Sequence, residues 1–516
     1  MLRWARRLLP LGLALLFTAT DAVGQRSCDL VTSDGLVSNQ TNQARVTYVS
    51  GPRFECADGT SIQADSSVIF EATAFMQLFG RVIFREQRRE LHADRAQYFS
   101  RVNRLQAQGS VLLTNLEDGS WVSGEDLVIL EETVDRAEEE VTVREGRPHA
   151  RLVPKVGLDS MATGDSGEPE NLKSASPYEV DANLIRLVGD RLFQARGQVE
   201  ITHESLQSYG DSVEFQQDIG WVTLFNNARV LSGDTIAADR LDLRGDTITM
   251  SVPNDQIDEM ESRGRAQLLT DDVDMRGPVI RLAFANEALE RVFAVQRPVD
   301  EDPPPRVIGA DTSIVLTPPT QPIAFAEDFR ITGDSIEADL LGGGLDRVVA
   351  TGAARGVSTA RDSLNTENTD ELIRSDWIEG DTITATFGST PIDSISVESD
   401  SSGTAESTDR LLDMLVATGE ARSFYRSTPD SAPAGSSGVG SLELNYVVGD
   451  EVRLFMRDGE VDRMEVDNPR GVYLQPRGPS TAPPPEMDAG GRPPPSQADG
   501  SPPVVDSGPP GGDGAR

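Results

Sequence analysis

The sequence predicts an all-β protein, elongated and assembled from stacked repeats, and three observations carry that prediction. Apolar and polar residues alternate with a period of two in short runs: Val199, Ile201 and His203 share one parity in GQVEITH, Val213 and Phe215 in GDSVEF, and Ile383, Ala385 and Phe387 in DTITATF. That is the pattern of half-buried strands. Glycines such as Gly109, Gly197, Gly264, Gly352 and Gly419 separate the runs, as turns between short strands do. Finally, the fragments SIQADSSVIF, ELHADRAQYF, YGDSVEF, SGDTIAADRLDL, TGDSIEADLL and EGDTITATF open units of one grammar, with 29 positions from Asp65 to Asp94 and 28 from Asp211 to Asp239. Units of this size cannot bury their own apolar face and must stack on their neighbours.

The elements follow in chain order. Arg3, Arg6 and Arg7, the apolar run Leu8 to Phe17 and the small-x-small site Ala22-Val23-Gly24 form the pattern of a secretory signal peptide over residues 1–24, so the rest is expected to be exported and soluble. Cys28 and Cys56 are the chain's only cysteines, and two thiols in one exported segment predict a single disulfide. The first β unit is expected at 25–157, a linker at 158–177, and a second unit at 178–297. An acidic, proline-rich linker at 298–306 leads to a third unit at 307–476, with flexible inserts at Asp362–Asp370 and Glu398–Asp409. The last 40 residues, 477–516, hold 11 of the 31 prolines, lack large apolar side chains and are expected to be disordered.

With 84 acidic against 47 basic residues the net charge is −37, spread along the chain. Such a surface repels nucleic acid and anionic headgroups, so no nucleic-acid partner is expected.

Each unit opens with a corner and closes with a return. In SGDTIAADRLDL, Ile236 and Ala238 share one parity and Leu241 and Leu243 the other, so one residue near Asp239 must be absorbed by a bend or bulge. ELHADRAQYF repeats the shift between Leu91, Ala93 and Ala96, Tyr98, whereas SIQADSSVIF is read as keeping Ile62, Ala64, Val68 and Phe70 on one face. Asp234 and Asp239 read as turn residues and Asp242 as facing water. The returns, such as RLQAQGSVLL, RLFQARGQVEI and MLVATGEARSF, run apolar, small, Gly, any residue, apolar.

Paired in this order, the Ala-Asp corners and L-x-A-x-G-x-V returns resemble the OstA-like, or LptA-like, family of periplasmic lipopolysaccharide-transport proteins. The best matches are Leu91 to Tyr98 followed by Leu105 to Leu112, and Ser232 to Leu243, within a resemblance covering most of residues 50–475. It implies an open β-jellyroll whose two sheets leave an apolar trough for acyl chains, and no catalytic residue. The partners it implies are a lipopolysaccharide-like glycolipid and other envelope transport proteins or a second copy, joined by end-to-end strand pairing. The location it implies is the periplasm, at or near the outer membrane. The trough candidates are Ile62, Ala64, Phe70, Leu91, Ala93, Val111, Val199, Ile201, Val213, Phe215, Ile236, Ala238, Leu241 and Leu243. The same alternation equally builds a filled core, which is the signature of an envelope scaffold without lipid.

Other chemistries find no support in the sequence. His92, His149 and His203 lack metal-ligand spacing, the many acids recur at corners instead of forming one distinctive pair, and no nucleophile elbow, phosphate loop or zinc motif occurs. No enzyme activity, metal or cofactor is expected.

Overall fold

The computed structural model describes residues 28–40, 44–154, 176–232, 240–253, 256–285, 288–296, 320–326, 329–342, 344–358, 365, 373–389, 410–427, 443–457, 460–471 and 473–474. The signal segment 1–24, linker residues 158–175 and 298–306, the insert 362–370 except residue 365, the insert 398–409 and the tail 477–516 lie outside them. The described residues form thirty strands in one hydrogen-bonded sheet, with a single 3-10 turn at Glu71–Thr73. The protein is all-β and elongated.

The sheet is folded over along its length into two facing layers. Strand β7 (Phe75–Arg85) shows how: Phe75–Phe79 pairs with β6 (Ser66–Phe70), and Ile83–Arg85 pairs with β5 (Ser61–Gln63). The next strand, β8 (Arg89–Phe99), follows β7 through the fold, with Ala93 opposite Val82 in one layer and Arg95 opposite Phe79 in the other. Between those pairs the register slips at Gly80 and Arg81, which have φ of 69° and 43°. Two consecutive positive-φ residues facing a shorter stretch make a β-bulge, which bends the strand and sharpens its twist. Gly109–Ser110 and Gly197–Gln198 repeat the device in β9 (Arg104–Asn115) and β15 (Leu192–His203). Asn226–Asn227 does so in β17 (Trp221–Ser232), asparagine being tolerant of the left-handed region.

The corner and the return meet at these bulges. An added Cβ on Gly80 would lie 2.3 Å from Asp65 Oδ2, and one on Gly109 would lie 2.5 Å from Asp94 Oδ2. Glycine is therefore required on two counts there, conformation and space. Bulged strands keep their inward parity, as Leu78, Val82 and Phe84 do in β7, whereas corner strands change it, as Leu91, Ala93 and then Ala96, Tyr98 do in β8. SIQADSSVIF is a correction: the parity changes at Asp65, so Ile62 and Ile69 pack on the core, while Phe70 stacks on Phe75 with ring centroids 5.4 Å apart, on the other face of the strand.

The ladder also crosses both predicted linkers. β12 (His149–Leu152) pairs with β13 (Tyr178–Asp181), and β11 (Glu140–Arg144) with β14 (Leu184–Val188). β20 (Asp274–Ala285) likewise pairs with β22 (Ile323–Ala326). One apolar core runs continuously between the layers from Phe54 to Leu454. Cys28 and Cys56 are joined in a disulfide that ties β1 (Cys28–Thr32) to β4 (Arg53–Cys56) at the N-terminal edge.

Candidate functional site

Where the ladder passes from β13 through β21 (Ala288–Val295), the interior holds a cavity of about 540 Å³. Its floor is made by inward residues of both layers: Val180, Phe193, Val213, Val222, Met250 and Met260. All six are buried. The lining also includes the hairpin ends Glu204–Ser205, Arg240–Leu241 and Asp271–Asp272 from one layer, and Ala288–Glu290 and Leu341–Gly342 from the other. Glu204, Arg240, Asp271, Asp272, Glu290 and Leu341 are solvent-exposed, so these ends form the mouth. Each layer is closed on the bulge side by the strands themselves, and the mouth lies on the side where the hairpins turn. Met250 and Met260, whose unbranched side chains adapt to irregular space, stand among the inward residues that line the cavity.

One wall is aromatic. Tyr178 stacks on His203 with ring centroids 4.0 Å apart and 12° between planes, and Phe215 lies 6.2 Å from Tyr178. At the mouth, Ser176 Oγ donates to Glu204 Oε1 at 2.7 Å, and Asp272 Oδ2 accepts from the Leu345 backbone N–H at 3.2 Å. Among the described residues none of Glu204, Asp271, Asp272 and Glu290 is ion-paired with a basic side chain.

The trough candidates divide. Ile201, Val213, Phe215 and Leu241 line the cavity. Val199 and Leu243 are buried core residues outside its lining. Ile62, Leu91, Ala93 and Val111 are buried in the same core towards the N-terminal edge, with Ala64 half-buried against it. Phe70 faces the other way, for the parity reason given above. Ile236, Ala238, Asp234 and Asp239 lie outside the described residues. Alternation alone did not single out Tyr178, Met250, Met260, Phe284 or Leu289, although His203 shares the inward parity of Val199 and Ile201.

Asp242 is a second correction. Its side chain is 1% exposed and accepts hydrogen bonds from Arg229 (2.9 and 2.7 Å) and Arg244 (3.0 and 2.6 Å). Burial alone would push this carboxyl up, but the two guanidiniums hold it well below the usual carboxylate range. Against the same opposing burial, hydrogen bonds from Gln106, Arg144 and Gln108 lower Asp126, and paired arginines lower Glu261 and Asp339. Several acids of the sheet faces are thus matched by arginines, whereas among the described residues those of the mouth are not. His149 lies between Glu179 (3.0 Å) and Asp181 (3.2 Å), and among the described residues no group of three or more His, Cys, Asp or Glu is arranged to hold a metal.

No family model matches the chain. No curated protein matches it. Among solved structures, the chain is similar to LptH from Pseudomonas aeruginosa, described as the LptA-homologous periplasmic component of the lipopolysaccharide transport device. The match covers 36% of this chain and 96% of that one, at 11% identity and a TM-score of 0.18.

Proposed function

We propose that the protein is an exported, non-enzymatic carrier or bridge for an acyl-chain glycolipid of the lipopolysaccharide type, working in the periplasm at or near the outer membrane. The observation that carries this reading is the cavity between the layers, apolar at its floor and polar at its mouth. Its volume of about 540 Å³ lies inside the roughly 300–1,000 Å³ of small-molecule sites. An amphiphile fits that division: its chains replace water on Phe193, Met250 and Met260, and its polar end stays at the hairpin tips. The recurring corner-and-return grammar supports the same reading through its resemblance to the lipopolysaccharide-transport family. Among the described residues the strands at the two ends of the ladder pair on one side only, which suits strand addition by an envelope partner or a second copy.

The test is native mass spectrometry of the purified exported chain, combined with photocrosslinking by a diazirine-bearing acyl chain. Retained lipid and adducts on peptides carrying Phe193, Met260 or Leu289 are expected. A folded protein that neither retains nor crosslinks any acyl chain overturns the proposal. It would favour instead an envelope scaffold, a reading that draws on the continuous buried core along the ladder, where Ile62, Ile336 and Ile383 are each 0% exposed.

A further inference from the structure

Resting on the carrier reading, we infer that the cavity selects amphiphiles whose polar end is cationic or amine-bearing, and discriminates against those whose polar end is a bare phosphate or sulfate. The cavity fixes where the polar end must sit. Its floor offers Val213, Val222, Met250 and Met260, which can pair with no headgroup, so a chain that enters leaves its head among the exposed hairpin tips.

The charges at those tips are unequal. Among the described residues that line the mouth, Glu204, Asp271, Asp272 and Glu290 are accompanied by one arginine, Arg240, and Ser205, Gln256 and Thr270 are uncharged. Elsewhere acids are neutralised locally, as Asp242 is by Arg229 and Arg244, and Asp339 by Arg291 and Arg347. The mouth carboxylates make no such pair among the described residues, so their field acts on whatever enters. An ammonium group is attracted there, and a phosphate or sulfate must approach several like charges without a basic cradle to receive it. Within the glycolipid class the geometry therefore favours an amine-bearing, phosphate-poor end next to the acyl chains.

Displacement of the neutral dye Nile red from the full exported chain tests this, with dodecylammonium, dodecyl maltoside and dodecyl sulfate each used below its micelle concentration. The three share one chain length and differ in head charge. Dodecylammonium should displace the dye at a concentration about tenfold or more below dodecyl sulfate, and the ratio should shrink as salt rises. The triple variant Glu204→Gln, Asp271→Asn, Glu290→Gln should bring the ratio towards one, and Arg240→Gln should widen it. A ratio of one or below in the natural protein overturns the inference while leaving the carrier reading intact. So does a ratio that both variants leave unchanged, because the preference would then belong to the net charge of −37 and not to the mouth. If folded protein binds no Nile red and none of the three amphiphiles, the carrier reading fails and the inference falls with it.

Discussion

The Asp65 carboxylate lies over Gly80, so close that a Cβ there would stand 2.3 Å from Oδ2, and the same carboxylate accepts a 2.6 Å hydrogen bond from Arg81 Nη2. The corner of one strand thus holds the bulge of the next. Asp246 and Arg265 repeat the contact at 2.8 Å, and Asp211 accepts from Asn227 at 3.2 Å. The spacing between corner and return in the sequence is the distance the chain needs to turn and come back alongside.

Gly109→Ala should destabilise the protein by about 1–3 kcal/mol, because it adds a strained φ to a collision with Asp94. Asp94→Ala should remove the collision and leave the strain. Urea midpoints of the two single variants and the double variant check this, and the expected result is a double variant less destabilised than the sum.

Acid should weaken the fold through its buried and half-buried, hydrogen-bonded carboxyls. Asp126, Asp242, Glu261 and Asp339 all titrate below their ordinary values when folded. Their contribution is therefore fully present above the ordinary carboxylate value of about 4, and is lost as pH falls through the lower, folded values. Urea midpoints should be level from pH 7 to about 5 and decline below about pH 4. Asp242→Asn should lower the midpoint at neutral pH and flatten that acid decline.

Adding volume should distinguish cavity from core. Leu91→Trp, at a buried core position outside the lining of the cavity, should cost about 1–3 kcal/mol by overpacking. Val213→Trp, on the cavity floor, should cost less than about 1 kcal/mol because the ring has space to enter. The same variant should lower the amount of acyl chain retained in native mass spectra, and unchanged retention would count against the cavity as the site.

Replacing Cys28 and Cys56 by serine should weaken the N-terminal edge by about 2–4 kcal/mol, as expected for a cross-link of this loop length. Hydrogen exchange should quicken in β1 and β4 and stay unchanged in β26 (Asp376–Ser389) and β27 (Arg410–Ser427). A uniform rise across the ladder would instead place the disulfide's effect on global stability.

Much of the fold was legible because it is written in local chemistry. Period-two alternation at Val199 and Ile201 or at Ile383 and Ala385 places those residues inside whatever their neighbours do. The Ala-Asp corner at Ala93-Asp94 shifts parity as its apolar spacing says it must. Phe70 was misplaced because Ser67, not Val68, faces inward after the Asp65 corner, and a polar residue at an inward position hides the shift. Asp242 was misplaced because its arginines lie two residues along its own strand and on the strand alongside, and the cross-strand partner depends on register.

By itself the sequence determined the all-β class, the corner-and-bulge spacing and the inward parity of runs such as Val199 and Ile201, since a positive-φ glycine and a two-residue period act within a few residues of themselves. Only the tertiary structure decided where the layers part, which of the inward residues line a cavity and what charge stands at its mouth. Filled and hollow interiors ask for the same alternation. Val199 and Ile201 share one parity and are both buried, yet Ile201 lines the cavity and Val199 does not.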